Sequence, residues 1–417
     1  MIHSPDFLLR QRWFRAKARR IENTEIEDVL ALPGTRFQIV VIRVDYAEGD
    51  PDKYVLMPED EREFRDALLA AIARNSRISG RAGDLTASHT NAFPDSDLKI
   101  ESFVSQAEQS NTSLIYGNRF ILKLFRKIEA GINPDLEIGK FLTEHSFRHT
   151  PAVMGQLEYL SKEGGEPYAV GILQQFVPNQ GDAWKYTLES LNGDVTGYAD
   201  SARLLGTRTA QMHAALTDAA DPDFAPEPFT PEDGRGLYDE MLGQADITFD
   251  LLRHSAAEHA RALLGIEHQV RQRFAQIRDY PITATRIRCH GDFHLGQVLY
   301  TGSDFMIIDF EGEPARPLAE RRRKTLAMRD VAGMLRSFQY ASYSARAEAN
   351  PEIESCYLRA YFETAKELPF VPAKAEERRL LLDAFQLQKA LYEVAYELNN
   401  RPDWVRIPID GILTLMS

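Results

Sequence analysis

The chain has 417 residues, 44% hydrophobic and 27% charged, with a formal charge of −13 at neutral pH, the make-up of an ordinary globular protein with room for two or three domains or lobes. The acidic balance excludes broad nucleic-acid binding, which needs a basic face to neutralise phosphates, and is otherwise compatible with solubility alone. No run approaches the ~20 apolar residues of a membrane span, and the opening Met1-Ile2-His3-Ser4-Pro5-Asp6 lacks a secretory pattern, so a cytoplasmic protein without membrane or nucleic-acid partners is expected. Two cysteines, Cys289 and Cys356, cannot build a disulfide framework, and Cys289 in an apolar strand reads as a buried free thiol.

A first helix is predicted from Ser4-Pro5-Asp6, carrying Phe7, Leu8, Arg12, Trp13 and Phe14. Its basic tail, Arg15, Lys17, Arg19 and Arg20, is either a solvated helix end or an anion grip. Strands are predicted over 26–32, 37–46 and 54–57, then an amphipathic helix over 59–74 with Phe64, Ala67, Leu68 and Ala71 on one face. The Ser, Gly, Arg and Thr of 76–91 show no period, and a boundary is expected there.

Strands over 98–103 and 113–116 flank a polar turn whose Ser110, Asn111 and Thr112 offer donors to phosphate oxygens, although taken alone the turn is better explained as an ordinary hairpin turn. The next strand, 120–125, carries Lys123 inside an apolar run. Alternation alone would let it face solvent on an edge strand. Asn133-Pro134-Asp135 then starts a helix bearing Glu137, the order of a strand lysine paired with a helix glutamate that aims the ammonium at ATP phosphates. The apolar run 168–177 is a candidate last strand and hinge, with backbone groups of Gln175 and Val177 toward the adenine. From 182 onward helical spacing dominates: 184–191, 198–216, 236–252, 256–278, 330–345, 351–368 and 373–399. His213 reads as a packed histidine, since no second metal-ligand residue stands at a useful spacing.

The chemistry concentrates in Arg288-Cys289-His290-Gly291-Asp292-Phe293-His294-Leu295-Gly296-Gln297, followed by Met306-Ile307-Ile308-Asp309-Phe310-Glu311-Gly312-Glu313. An acid on a tight loop, an amide five residues on and a second acid ending the next strand repeat the spacing of a kinase catalytic loop. Phosphoryl transfer explains each part. Asp292 would orient the attacking hydroxyl and take its proton, while Asp309 and the Gln297 side-chain oxygen, with support from Glu311, would hold magnesium. His290 is expected to brace the loop, and His294 either to face substrate or to cap the loop.

At these residues, and at Glu108-Gln109-Ser110-Asn111-Thr112-Ser113, Ile121-Leu122-Lys123-Leu124-Phe125-Arg126, Asn133-Pro134-Asp135-Leu136-Glu137 and Gln11-Arg12-Trp13-Phe14, the chain resembles the bacterial maltokinases, relatives of the aminoglycoside phosphotransferases. The resemblance implies an α+β, bilobal protein-kinase-like fold: an N-terminal cap over 1–90, a β-rich ATP lobe over 91–180, and a helical lobe over 181–417. It implies ATP and Mg2+ as cofactors, maltose as acceptor, maltose 1-phosphate as product, and a place in trehalose-to-α-glucan (glycogen) metabolism with trehalose synthase as a partner. It also brings Tyr340, Glu397, Arg401 and Trp404 forward as sugar-binding candidates, an aromatic face beside a carboxylate and a guanidinium. One departure is Arg15-Ala16-Lys17-Ala18-Arg19, where the family carries glycines flanking a lysine. The alternatives are a kinase of another sugar such as glucosamine, a kinase of an aminoglycoside-like acceptor, and a non-catalytic nucleotide- or glucan-binding module.

Overall fold

Some helix starts in this chain are set by capping side chains, Ser4, Asn133, Asp182 and Thr230, and strands by alternation that only long-range pairing completes. The computed structural model describes residues 4–95, 98–105, 111–193, 195–255, 259–345 and 351–417. The chain divides into two compact units, Met1–Pro178 with Ala315–Arg321, and Asn179–Pro314 with Arg322–Ser417.

In the first unit, α1 (Pro5–Arg10) is capped by Ser4 with Pro5 in its first turn. It ends at Gln11, whose backbone is extended, so Arg12, Trp13 and Phe14 leave the helix on which the sequence had placed them. Phe14 is instead buried 5.0 Å from the ring of Tyr54, in a small core with Leu8 and Ile42. Strands β1 (Ile21–Ala31), β2 (Gln38–Tyr46) and β3 (Asp52–Leu56) follow, then α2 (Arg62–Ala73) with Phe64, Leu68 and Ile72 buried. Arg19 closes a loop here: its guanidinium donates to the carbonyls of Glu48 and Asp50, both at 2.8 Å, and lies over the Tyr46 ring.

The segment 76–91, expected to be irregular, folds into β4 (Arg77–Ser79) and β5 (Gly83–His89). Next come β6 (Ser102–Val104), β7 (Thr112–Tyr116), β8 (Phe120–Leu124), β9 (Lys127–Ile128), α3 (Pro134–Glu144), β10 (Val153–Ser161) and β11 (Tyr168–Gln175). Two antiparallel sheets result, ordered β1-β2-β3-β9 and β4-β5-β10-β11-β8-β7-β6. Strand β10 had no counterpart in the sequence reading, yet it sits inside the larger sheet and buries Val153, Gly155, Leu157 and Tyr159 in alternation. Its pairing with β5 over seven positions gives the weakly patterned Gly-Ser-Thr segment its strand.

One buried carboxylate fixes the β4–β5 turn to the first sheet. Asp28, on β1, accepts from the N–H groups of Arg81 and Gly83, each at 2.7 Å, and from the Tyr159 hydroxyl at 3.0 Å. Burial works against its charge, but the backbone N–H groups and Tyr159 more than offset this and hold its carboxyl below the ordinary range. Asp28→Ala leaves those donors buried without an acceptor, and a loss of about 3 kcal/mol is expected from the midpoint of urea unfolding. Because the folded pKa is depressed, the wild-type contribution is present above the unfolded value and disappears as pH falls through the folded one, whereas the Ala variant lacks this dependence.

The second unit is mainly helical: α4 (Ala183–Leu191), α5 (Val195–Ala215), then β12 (Glu227–Pro228), α6 (Pro231–Arg253), α7 (Ala260–Leu264), α8 (Glu267–Asp279) and β13 (Thr285–Arg286). Helix α6 begins earlier than its apolar period suggests because Thr230 and Asp233 form a capping box. The single helix expected over 256–278 is two, parted at Gly265 and Ile266. A hairpin of β14 (Val298–Tyr300) and β15 (Phe305–Ile307) precedes α9 (Leu318–Arg321), which belongs to the first unit. Helices α10 (Met328–Ser344), α11 (Pro351–Thr364), α12 (Ala375–Asn400) and α13 (Arg406–Met416) complete the chain. Helix α5 crosses α11 so closely that a Cβ on Gly206 would stand 2.2 Å from the Tyr357 carbonyl oxygen. Among the described residues no helix is long and apolar enough to cross a membrane.

Candidate active site

The two halves of the central motif meet in the second unit. Gly291 adopts φ +87°, and a Cβ there would lie 3.1 Å from the Cα of Gly312, itself at φ +69°. Glycine is required on the first turn for both reasons. Between the turns, His290 donates from Nε2 to the Ile308 carbonyl at 2.9 Å, which leaves Nδ1 to accept from the Asp292 N–H at 3.4 Å. The Phe293 and Phe310 rings pack on its imidazole. His290 therefore braces the loop, as expected.

Beneath the loop lies a carboxylate to which the sequence reading gave no role. Asp330, on α10 and 1% exposed, accepts from the His290 N–H at 2.7 Å and the Gly291 N–H at 3.0 Å. His213 from α5 joins the same carboxylate at 3.0 Å and meets the Tyr361 hydroxyl with its other nitrogen. Burial opposes ionisation of Asp330, but the hydrogen bonds from His213 and the Gly291 N–H hold its carboxyl below the ordinary range. Cys289 is buried beside them with its thiol toward the Ile287 and Thr325 carbonyls, and burial pushes its pKa up. It is the inert thiol expected.

Asp292 reaches the surface of the loop, and its Oδ1 lies 3.1 Å from the ammonium of Lys389, on α12. The same ammonium stands 3.9 Å from Glu313. Burial works against the Lys389 charge, yet the carboxylates of Asp292, Glu313 and Glu393 raise its pKa well above the ordinary value. Gln297 ends a 3₁₀ turn, Leu295–Gln297, and its carbonyl accepts from the Ile308 N–H at 3.0 Å, so the amide residue stands beside the strand end that delivers Asp309. Asp309 is held at φ +68°, a conformation uncommon outside glycine and one that often marks a functional position. Asp309, Glu311 and the Gln297 side-chain oxygen are hard donors suited to magnesium. His294 caps the 3₁₀ turn, its Nδ1 accepting from the Gly296 N–H at 3.1 Å, and burial moves its pKa down. The capping expected of His294 is thus present, made by Nδ1 alone.

Two stripes run along α12. Lys389, Glu393 and Glu397 on α12, and Arg401 just past its end, recur every four residues, a span of about 18 Å at helical rise. Glu393 is paired with Arg336 of α10 at 2.6 and 3.0 Å, and Glu397 with Arg401 at 2.7 and 2.9 Å. Beside them Tyr392 and Tyr396 stack at 6.4 Å, and the Arg401 guanidinium lies 5.5 Å from Tyr396 and 5.0 Å from Trp404. Tyr392, Tyr396 and Trp404 are all more than a third exposed. Tyr340 lies in the same neighbourhood: its ring is under Arg336, and burial raises its pKa, as does the charge of Glu393. Its hydroxyl is buried without a hydrogen-bond partner among the described residues. The structure thus gathers Tyr340, Glu397, Arg401 and Trp404, and adds Tyr392, Tyr396 and Lys389.

In the first unit the lysine strand is corrected in two respects. Lys123 is buried, on β8 between β11 and β7, so it is on no edge. The helix carboxylate that meets it is Asp135, at 3.1 Å, where Glu137 had been expected. The two acids stand about 200° apart around α3, and Asp135 shares the buried stripe of Ile138, Gly139 and Leu142. Thr112 is buried at the start of β7, and its hydroxyl accepts from Arg126 at 2.9 Å. Asn111 is half-buried beside it, and Ser110 lies outside the described residues. At the candidate hinge the N–H groups of Gln175 and Phe176 are taken by the carbonyls of Ala152 and Arg119, both at 2.9 Å. The Gln175 N–H is therefore no adenine donor, and Val177 follows one residue beyond Phe176.

Comparison with known proteins agrees with this architecture. Residues 99–312 match the model of the phosphotransferase enzyme family, and residues 7–78 match that of the maltokinase N-terminal cap domain. A glucosamine kinase of Mycolicibacterium smegmatis is 25% identical over 330 residues, covering 74% of this chain and 78% of that protein. One from Streptacidiphilus jiangxiensis is 25% identical over 365 residues, covering 79% and 80%. A solved glucosamine kinase in complex with glucosamine, ADP and inorganic phosphate is similar with a TM-score of 0.74 at 20% identity, over 100% of both chains, a likeness of fold. The fold is kinase-like, mixed α+β, with a β-sheet lobe and a helical lobe. The chain belongs to the phosphotransferase enzyme family, as an ATP-dependent enzyme that transfers a phosphoryl group to a hydroxyl.

Proposed function

We propose that this enzyme phosphorylates the anomeric hydroxyl of maltose, giving maltose 1-phosphate and ADP. The observation that carries the choice of acceptor is the α12 surface beside Asp292. It offers exposed aromatic faces, Tyr392, Tyr396 and Trp404, over a span longer than one sugar ring, and aromatic faces stack on the C–H faces of sugars. On its charged side Glu393 is paired with Arg336 and Glu397 with Arg401, while Lys389 meets Asp292 and stands 3.9 Å from Glu313. The match to a maltokinase cap domain over 7–78 supports the same reading.

In this reading Asp292 orients the anomeric hydroxyl and accepts its proton as the oxygen bonds to the γ-phosphorus. The bond from that phosphorus to the bridging oxygen breaks, and ADP leaves. Lys123, steadied by Asp135, meets phosphate charge. Asp309, Gln297 and Glu311 would hold magnesium, which when bound neutralises charge on the phosphates. Trehalose synthase as supplier of maltose, a role in α-glucan synthesis and a cytoplasmic setting belong to the same proposal.

The second reading, glucosamine as acceptor, is favoured by the names of the relatives at 25% identity. Incubating the purified chain with ATP, magnesium and either sugar, and locating the phosphate by phosphorus NMR, separates them. Maltose 1-phosphate is expected; turnover of glucosamine with none of maltose would replace the acceptor while leaving the kinase.

A further inference from the structure

Helix α10 has two working sides. Asp330 and Ser337 serve the catalytic loop, accepting from the N–H groups of Gly291 and Leu295 at 3.0 and 3.1 Å. On the opposite side of the helix, Gln339 and Ser342 line a cavity of about 460 Å³, completed by residues of α4, α11, α12 and α13. Small-molecule sites span ~300–1,000 Å³. The walls are mostly apolar, with Leu191, Phe338, Ile353 and Ile407 buried in them. Helix α13 closes over Arg336 where Gly411 has no side chain: a Cβ there would stand 2.3 Å from Nη1. Asp292, Lys389, Tyr392, Tyr396 and Trp404 take no part in the lining, so the cavity is separate from the surface beside the catalytic loop.

Two charged groups in the walls are already engaged. Arg336 donates from Nε and Nη2 to Glu393 at 3.0 and 2.6 Å and from Nη1 to Gln339 at 2.5 Å, and Asp410 accepts from Arg406 at 3.0 Å. Three other groups have capacity left. Gln339 donates to one carboxyl oxygen of Glu354 at 3.2 Å and to the Gln386 carbonyl oxygen at 3.3 Å. Among the described residues, the second oxygen of Glu354, the NH2 of Gln386 and the hydroxyl of Ser342 make no hydrogen bond. Gln386 and Ser342 are only 7% and 9% exposed, so bulk water serves them poorly. Burial raises the pKa of Glu354 despite the Gln339 hydrogen bond and the charge of Arg336, as for an acid whose neighbours replace water incompletely.

We infer that this cavity is a second ligand site, distinct from the acceptor site, that takes a small hydroxyl-rich molecule of the saccharide class. Hydroxyls both donate and accept, so neighbouring ring hydroxyls donate to Glu354, accept from the Gln386 NH2 and do either with Ser342, while C–H faces meet the apolar walls. An organic cation would serve Glu354 alone and would face the Gln386 NH2 and the Arg336 guanidinium.

The test uses the full-length chain as wild type, Ser342→Leu and Glu354→Gln. The probes are methyl α-maltoside and methyl α-glucoside, whose capped anomeric oxygens cannot be phosphorylated, with 1,4-diaminobutane as the cation. Calorimetry measures affinity, hydrogen–deuterium exchange locates the bound probe, and thermal unfolding checks that each variant folds. At least one glycoside should protect the amides of 339–343 and 407–415 in wild type. Leucine at 342 fills the cavity, and Glu354→Gln turns a hydrogen-bond acceptor into a donor, so each should weaken that binding ~10-fold or more. Protection confined to 392–404, with equal affinity in all three proteins, would place the sugar on the acceptor surface alone and overturn the inference. So would binding of the diamine in place of both glycosides, or no binding of either glycoside to wild type. None of these readouts depends on which sugar is phosphorylated.

Discussion

Replacing Asp292 with Asn is expected to lower turnover by about 10²–10⁴-fold while leaving the KM for ATP within a few-fold of wild type. The substitution preserves size and one hydrogen-bonding oxygen, so the loop should keep its shape: His290 still reaches the Ile308 carbonyl, and Asp330 still holds the His290 and Gly291 N–H groups. What vanishes is the ability to accept a proton and the negative charge that faces Lys389. A steady-state assay with maltose at saturating ATP separates these effects from misfolding, because an intact loop keeps nucleotide affinity and thermal stability. Near-normal turnover would remove Asp292 from the role of base.

The catalytic half of the site was legible because its chemistry demands contiguous residues. The acid, the amide five positions on and the acid at the next strand end are properties of one loop and one hairpin, so spacing alone exposes them. Lys123 was legible for a similar reason, as a lone charge inside an apolar strand. The Asp135 pairing was written in the chain too, since Asp135, Ile138, Gly139 and Leu142 fall at helical spacing on one buried stripe, whereas the reading followed the order of residues and chose Glu137. Lys389 and Asp330 are different. Lys389 meets Asp292 from 97 positions away and Asp330 meets Gly291 from 39, through packing of α12 and α10 that no local period encodes. The four-residue recurrence of Lys389, Glu393, Glu397 and Arg401 was visible, but a solvated helix face has the same pattern. Strand β10 escaped because its alternation gains meaning only from β5 and β11 on either side.

Asp330→Ala should cost about 3–5 kcal/mol of stability and most of the activity, although in the proposed mechanism Asp330 touches neither nucleotide nor sugar. Its two oxygens accept from the His290 N–H, the Gly291 N–H and His213, and it is almost fully buried. Truncation strands two backbone donors and an imidazole in a site that water does not reach, and it frees the turn that sets Asp292. Asp330→Asn should be nearly as harmful. An amide oxygen can serve either the His290 side or the Gly291 side, and its NH2 then faces a donor on the other. His213→Gln is the milder comparison, since it removes one partner and leaves both loop contacts. The ordering Asp330→Ala ≥ Asp330→Asn > His213→Gln in loss of both melting temperature and kcat is the expected result, and a variant of Asp330 with normal kcat would show that the loop holds its shape without it. The pH dependence has a definite sign: the folded-state pKa of Asp330 is depressed, so its contribution is present above the unfolded value and lost as pH falls through the folded one. Wild type should therefore lose stability toward the Ala variant on acidification, and the gap between their unfolding midpoints should narrow below about pH 4.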